Sequence, residues 1–187
     1  MHIPTHILSG WCVGNLVPRM TARERLFCMI AATAADLDGV GIVISQDAYW
    51  DYHHKLGHNV FAALLFAGVL TIFSTTRKPL AFVSYLALAH LHLVLDYFGS
   101  GQGWAIDYLW PVAPDFHVTN PHAWGFASWQ NYAAFGVLLA WTVFIAARYR
   151  RTPIELLAPR LDRVALAFVP TWWMSLKPDA PLPIKSE

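Results

Sequence analysis

Three stretches of the chain are apolar, long and free of Asp, Glu, Lys and Arg: residues 59–76, 79–95 and 129–147, of 18, 17 and 19 residues. A helix that crosses a bilayer needs about 17 to 25 mainly apolar residues, so each of the three predicts a spanning helix. Two shorter apolar runs, 7–18 and 26–35, are too short to cross alone and read as partial spans packed against the others. The second extends backward through Arg25, Glu24 and Arg23 as an interfacial first turn. No segment alternates as a strand would, and neither an internal repeat nor a heptad is visible. The pattern predicts an all-α fold, a membrane helical bundle of about five antiparallel helices.

Breaker residues divide the chain further. Pro79 stands before the fourth helix and Gly99-Ser100-Gly101 behind it, where glycine ends a helix cheaply. Residues 99–128 then form a long outer loop with Trp104, Trp110, Trp124, Pro111, Pro114 and Pro121, a composition suited to the interface level of a bilayer. Its length suggests a lid or binding segment. Half of the 12 prolines follow Arg151. Residues 1–151 therefore read as the membrane-embedded domain. Residues 152–187 read as a short surface helix at 161–168, an interfacial Trp172-Trp173 anchor and a disordered tail from Lys177.

Composition agrees: 56% of residues are hydrophobic and 13% charged, against about 25% charged in an average soluble domain. This excludes a disordered chain or one that coats nucleic acid. Cys12 and Cys28, each inside an apolar run, read as small core residues. Met1 to Pro4 carry no Lys or Arg and no small-x-small site follows, so no removed secretory signal is expected. The net charge of +1 is uninformative, but its distribution is not. Arg19, Arg23, Arg25, Arg77, Lys78, Arg148, Arg150 and Arg151 fall where an up-and-down walk places cytoplasmic ends. Asp36, Asp38, Asp47, Asp51, Asp96, Asp107 and Asp115 fall at the opposite ends, with Lys55 as the one cation among them.

All nine histidines also avoid the basic side. His92 and Asp96, four apart on a helix, share a face in an apolar setting where an unpaired carboxylate is costly. Asp36 and Asp38 flank Leu37 at the outer end of the second helix, where negative charge opposes the helix dipole and a bound cation would relieve it. His53, His54 and His58 precede the third helix, and His6 lies just inside the first, after Pro4. His90 sits on another face from His92 and reads as structural. Four helices thus deliver imidazole or carboxylate to one end of a bundle, the way metal sites are built between facing helices. Imidazole mixed with carboxylate describes a Zn2+ or similar divalent site.

This order of residues, Thr5-His6-x-x-Ser9, Asp36-Leu37-Asp38, His53-x4-His58, His92-x3-Asp96 and then Leu109-Trp110-Pro111, resembles the YdjM-like inner-membrane metal-dependent hydrolases, also described as LexA-binding and inner-membrane-associated. The resemblance covers roughly residues 1–150. It implies that His6, Asp36, Asp38, His53, His58, His92 and Asp96 are the polar positions that bind metal, and it alone carries the LexA expectation. The chain departs from that family's His-Arg-x-x-Thr-His-Ser with His53-His54-Lys55-Leu56-Gly57-His58-Asn59. A remoter likeness to the zinc-dependent phospholipase C and single-strand nuclease group rests on the order of His and Asp in an all-helical fold and implies phosphoester cleavage.

The expected chemistry is metal-assisted hydrolysis of an ester or phosphoester, small or lipid-like, on the outer face of the inner membrane. One or two ions would activate water, and Asp36 or Asp38 would serve as general base. His117 and His122, in the aromatic loop, could cover the site. Two other readings use the same side chains: a non-catalytic metal-binding or interaction membrane protein, and a haem-binding helical bundle.

Overall fold

The computed structural model describes residues 1–75 and 77–169, and among these the chain is helical with no strand. The helices are α1 (Ile3–Leu16), α2 (Ala22–Ala31), a 3-10 helix (Ala34–Val43), α3 (Gln46–Tyr52), α4 (Val60–Ile72), α5 (Lys78–Gly99), α6 (Trp129–Tyr149) and α7 (Pro159–Ala167). Among the described residues, only α5 and α6 are long and apolar enough to cross a membrane singly. The pair α2 and 3-10 helix passes the same test jointly, bent by 57° at the break. The apolar run at 59–76 gives a helix of 13 residues. At 1.5 Å per residue that is about 20 Å, against the ~30 Å hydrocarbon thickness. α4 stops where Ser74 Oγ turns back to the Leu70 carbonyl (3.0 Å) and meets the Tyr85 hydroxyl (2.8 Å). The Trp172-Trp173 anchor and the tail from Lys177 lie outside the described residues.

Each start has a local cause. Thr21 caps α2 in a reciprocal capping box with Glu24. The other Glu24 oxygen accepts the Thr75 backbone N–H at 2.9 Å, tying the α1–α2 turn to the α4–α5 connection. Ser45 caps α3, Asn59 caps α4, and prolines occupy the first turns of α1, α5 and α7.

Small residues set the packing. α2 is sandwiched between α1 and α5, with Cys28, Ala31 and Ala32 against Ala67, Ala81, Tyr85 and Leu88. A second cluster of Trp11, Cys12, Met29 and Ile145 joins α1, α2 and α6. α1 and α2 approach so closely at Gly10 that a β-carbon there would lie 2.5 Å from the Cys28 carbonyl oxygen. This is the close-packing role of small residues between apolar helices.

Large apolar side chains remain outside this core on α4, α5 and α6, among them Leu65, Val83, Val137 and Val143. α7 turns Leu161, Val164 and Phe168, one face of the helix, outward. It is fastened by Arg150, which donates to the Leu166 and Val169 carbonyls at 2.5 and 3.2 Å, and by Thr152 to Asp162 at 2.6 Å. Buried Arg25 meets Glu155 at 2.6 Å.

Replacing Gly10 with alanine should force α1 from α2 and cost about 1–3 kcal/mol, as overpacking typically does. Gly68→Ala, where a β-carbon meets nothing within 4 Å, should leave stability unchanged or raise it by up to about 1 kcal/mol through helix propensity. Thermal unfolding of both variants in detergent, followed by circular dichroism, checks the contrast.

Candidate metal centre

One end of the bundle gathers most of the histidines and acids. α1 supplies His6 from its first turns, and α5 supplies His92 and Asp96 from its last. The 3-10 helix supplies Asp36 and Asp38, and the segment between α3 and α4 supplies His53, His54 and His58. His6, His58 and His92 are fully buried, and Asp96 and Asp38 nearly so.

Hydrogen bonds fix how the rings face. A carbonyl oxygen only accepts, so the 2.8 Å contact between His92 Nδ1 and the Ala32 carbonyl places a proton on Nδ1. Its Nε2 is left for the interior, 3.0 Å from Asp96 Oδ2 and 3.5 Å from Asp36 Oδ1. His58 is arranged alike. Nδ1 lies 2.9 Å from Asp38 Oδ2, and Nε2 lies 3.2 Å from Asp96 Oδ2 and 3.1 Å from His92 Nε2. His6 stacks on His92 with ring centroids 3.8 Å apart and brings its Nε2 to 3.2 Å from Asp96 Oδ1. The Met1 amino group also touches Asp96 and Ser100.

Two nitrogen lone pairs 3.1 Å apart repel unless a cation lies between them. A proton meets that need on His58: burial works against the charged ring, but Asp38 and Asp96 outweigh it and raise its pKa to about 9. A metal ion meets the same need with more bonds. Asp36, His58, His92 and Asp96 each offer one ligand atom, and the four atoms lie within 4.8 Å of one another. The donors, two imidazoles and two carboxylates, suit a divalent ion of borderline softness. His6 Nδ1 and Asp36 Oδ2 are buried without partners among the described residues, as expected where a missing group would take up polar atoms.

Asp38 stands one layer back. Its Oδ1 accepts from His53 Nδ1 at 2.7 Å, and its Oδ2 accepts from His58 Nδ1 and the Gly57 backbone N–H, both at 2.9 Å. Such a carboxylate orients a ligating imidazole and raises its basicity. Asp38, His53 and His58 also form a second group whose ligand atoms lie within 4.8 Å. Gly57 is required here, since a β-carbon would overlap the Ala35 backbone carbonyl. The seven sequence-predicted residues therefore divide into a central set, His6, Asp36, His58, His92 and Asp96, and the flanking pair Asp38 and His53.

The centre opens on a cavity of about 230 Å³ lined by Asp36, Asp96, Tyr49, His53, Trp104 and Phe126, and also by His54. Burial drives the pKa of His54 down, so that ring is neutral at pH 7. Sequence reasoning had assigned it no role. The long loop after α5 roofs the cavity through Trp104 and Phe126 and is held by Asn131 at the start of α6. The Asn131 amide donates to the Gly99 and Phe126 carbonyls, both at 2.8 Å, and accepts from the Trp124 indole at 2.5 Å. Inside an apolar run, that asparagine gave no sequence signal of its own. His117, half exposed, pairs with Asp107 at 2.6 Å in a neighbouring pocket. His122 is exposed. His90 is satisfied by the Leu86 carbonyl and the Tyr108 hydroxyl.

No curated protein and no solved structure matches the chain. The model of the YdjM inner membrane protein family does, over residues 1–173. Coverage of nearly the whole sequence, including every residue of the centre, shows that the chain belongs to the YdjM inner membrane protein family.

Proposed function

We propose that the chain is a membrane-bound metal-dependent hydrolase acting on an ester or phosphoester at the outer face of the inner membrane. The observation that carries the reading is the convergence of His58 Nε2, His92 Nε2, Asp36 and Asp96 at the floor of an aromatic-lined cavity. A divalent ion there, zinc by the chemistry of the donors, would polarise the scissile group and lower the pKa of a bound water toward ~7. His58, His92 and Asp96 hold, with His6 buttressing Asp96. Asp36, less buried and with Oδ2 unpartnered, is placed to take the proton released from water. Asp38 spends both oxygens on His53, His58 and Gly57 and acts as a positioning residue. In this reading one ion occupies the centre, because a second would have to displace the bonds that orient His58.

The proposed topology follows from which helix ends carry charge. α5 runs from Lys78 to the site, and α1 and α6 run from the site end to Arg19 and to Arg148, Arg150 and Arg151. By the positive-inside rule the basic ends are cytoplasmic and the site is exoplasmic. The lipid-facing residues would be the outward apolar side chains of α4, α5 and α6.

Elemental analysis of the detergent-purified full chain should find a divalent metal in the wild type and its loss in His58→Ala and Asp96→Ala. Asp38→Asn should keep the site but weaken affinity about 10- to 100-fold, as loss of an orienting carboxylate does. A metal-free wild type overturns the site. A wild type that holds metal but cleaves no ester, phosphodiester or phosphomonoester is a metal-binding protein without turnover.

Topology is checked by labelling. Cys12 and Cys28 are buried, so cysteines introduced at Asp47 and Arg151 should dominate modification by an impermeant maleimide. In intact spheroplasts Asp47→Cys should react and Arg151→Cys only after permeabilisation. The reverse pattern would invert the proposed orientation.

A further inference from the structure

His54 stands out among the polar groups that the proposed chemistry leaves unused. Its side chain is buried, the residue being 4% exposed, and Nδ1 has no hydrogen-bond partner among the described residues. It lines the cavity beside Asp36 and Asp96 yet belongs to neither ligand group. Its backbone is left-handed, with φ of 68°, a conformation uncommon for a residue bearing a β-carbon. Such strain persists where the surroundings over-determine it, and it concentrates at functional positions. Here the His54 carbonyl accepts the Asp107 N–H at 3.2 Å. The ring is wedged between His53, His58 and Trp104, at centroid distances of 4.6, 4.3 and 4.9 Å. It is therefore held in place with Nδ1 sealed in the wall, and Nε2 is the polar atom left to the open volume.

The charge around that volume restricts what can enter. The cavity lining contains Asp36, Asp96 and the Met1 amino group paired with Asp96, with neither Lys nor Arg, and its walls are aromatic: Tyr49, Trp104 and Phe126. One divalent ion and the Met1 ammonium set against two carboxylates leave a single positive charge, which matches a monoanion and not a dianion. Sites for doubly charged phosphate groups supply Arg or Lys for that purpose.

We propose that His54 is a substrate-contacting residue, its Nε2–H donating to an oxygen of an ester that carries at most one negative charge. The proposal rests on the hydrolase reading for the word ester, but its central contact is a binding contact and is measured as one. Glutamine is the informative replacement. Its amide nitrogen falls near the position of imidazole Nε2 and keeps a donor there. Glycine relieves the backbone and removes the donor.

The test uses the metal-loaded full chain in detergent as wild type, His54→Gln and His54→Gly. Bis(4-nitrophenyl) phosphate is the singly charged probe and 4-nitrophenyl phosphate at pH 8 the doubly charged one, with binding measured by calorimetry and metal content in parallel. The wild type should bind the diester more tightly than the monoester. His54→Gln should stay within about threefold of wild type and His54→Gly should bind the diester about tenfold or more weakly, the effect of losing one hydrogen bond to a charged group. Metal content should be equal in all three. Equal diester affinity in wild type and His54→Gly, loss of metal from either variant, preference for the monoester, or no binding of either probe by the wild type would each overturn the proposal. A wild type that binds the diester without cleaving it retires the hydrolase reading alone and leaves the His54 contact standing.

Discussion

The buried carboxylate of Asp96 is the constraint on which the polar end of the bundle depends. An isolated charge taken from water into an apolar interior costs several kcal/mol after relaxation. Asp96 sits near the end of a 22-residue helix and is almost fully buried. It can remain there only with partners close by, and it has four: the Met1 amino group, His6 from α1, His58 from the segment before α4 and His92 from its own helix. These contacts draw α1, α5 and the α3–α4 connection to one point. His92 then reaches the last turn of α2 through the Ala32 carbonyl, and His58 reaches the 3-10 helix through Asp38. The same bonds that satisfy the acid aim two Nε2 atoms at one spot, so a demand of stability also yields a ligand geometry.

What could be read in the sequence was whatever one helical period determines. His92 and Asp96 share a face by their spacing, and the structure places them 3.0 Å apart. The apolar runs at 79–95 and 129–147 correspond closely to α5 and α6. The difference between Asp36 and Asp38 could not be read, because it depends on a 3-10 helix bent from α2 by 57°. Two acids that look equivalent on paper end with one at the centre and the other behind His58. The adjacent pair His53 and His54 separates for a similar reason: a left-handed backbone at the second turns its ring into the cavity, while the first meets Asp38. The run at 59–76 is uniformly apolar, yet the helix within it stops early because Ser74 finds Tyr85, a long-range partner invisible to a count of hydrophobic residues.

The body of the bundle follows a different logic from its polar end. Alanine, glycine and cysteine line its inner contacts, while the bulky aliphatic residues of α4, α5 and α6 face outward. That distribution is the reverse of a water-soluble domain, where large apolar side chains supply the core, and it is consistent with a family of inner membrane proteins. Close backbone approach at Gly10 and Gly14 substitutes for the hydrophobic collapse that such an environment does not provide.

Asn131 has a mechanical meaning as well as a local one. α6 is the least enclosed of the long helices and packs mainly on α1. Its first turn, however, has every polar atom of one amide committed to the end of α5 and to the cavity roof. A helix pinned in that way at one end can tilt about the pin but cannot spin about its axis without breaking three bonds at once. The cavity roof is thereby shielded from rotation of its most exposed neighbour and remains coupled to its tilt, which makes α6 a lever whose fulcrum is a single side chain.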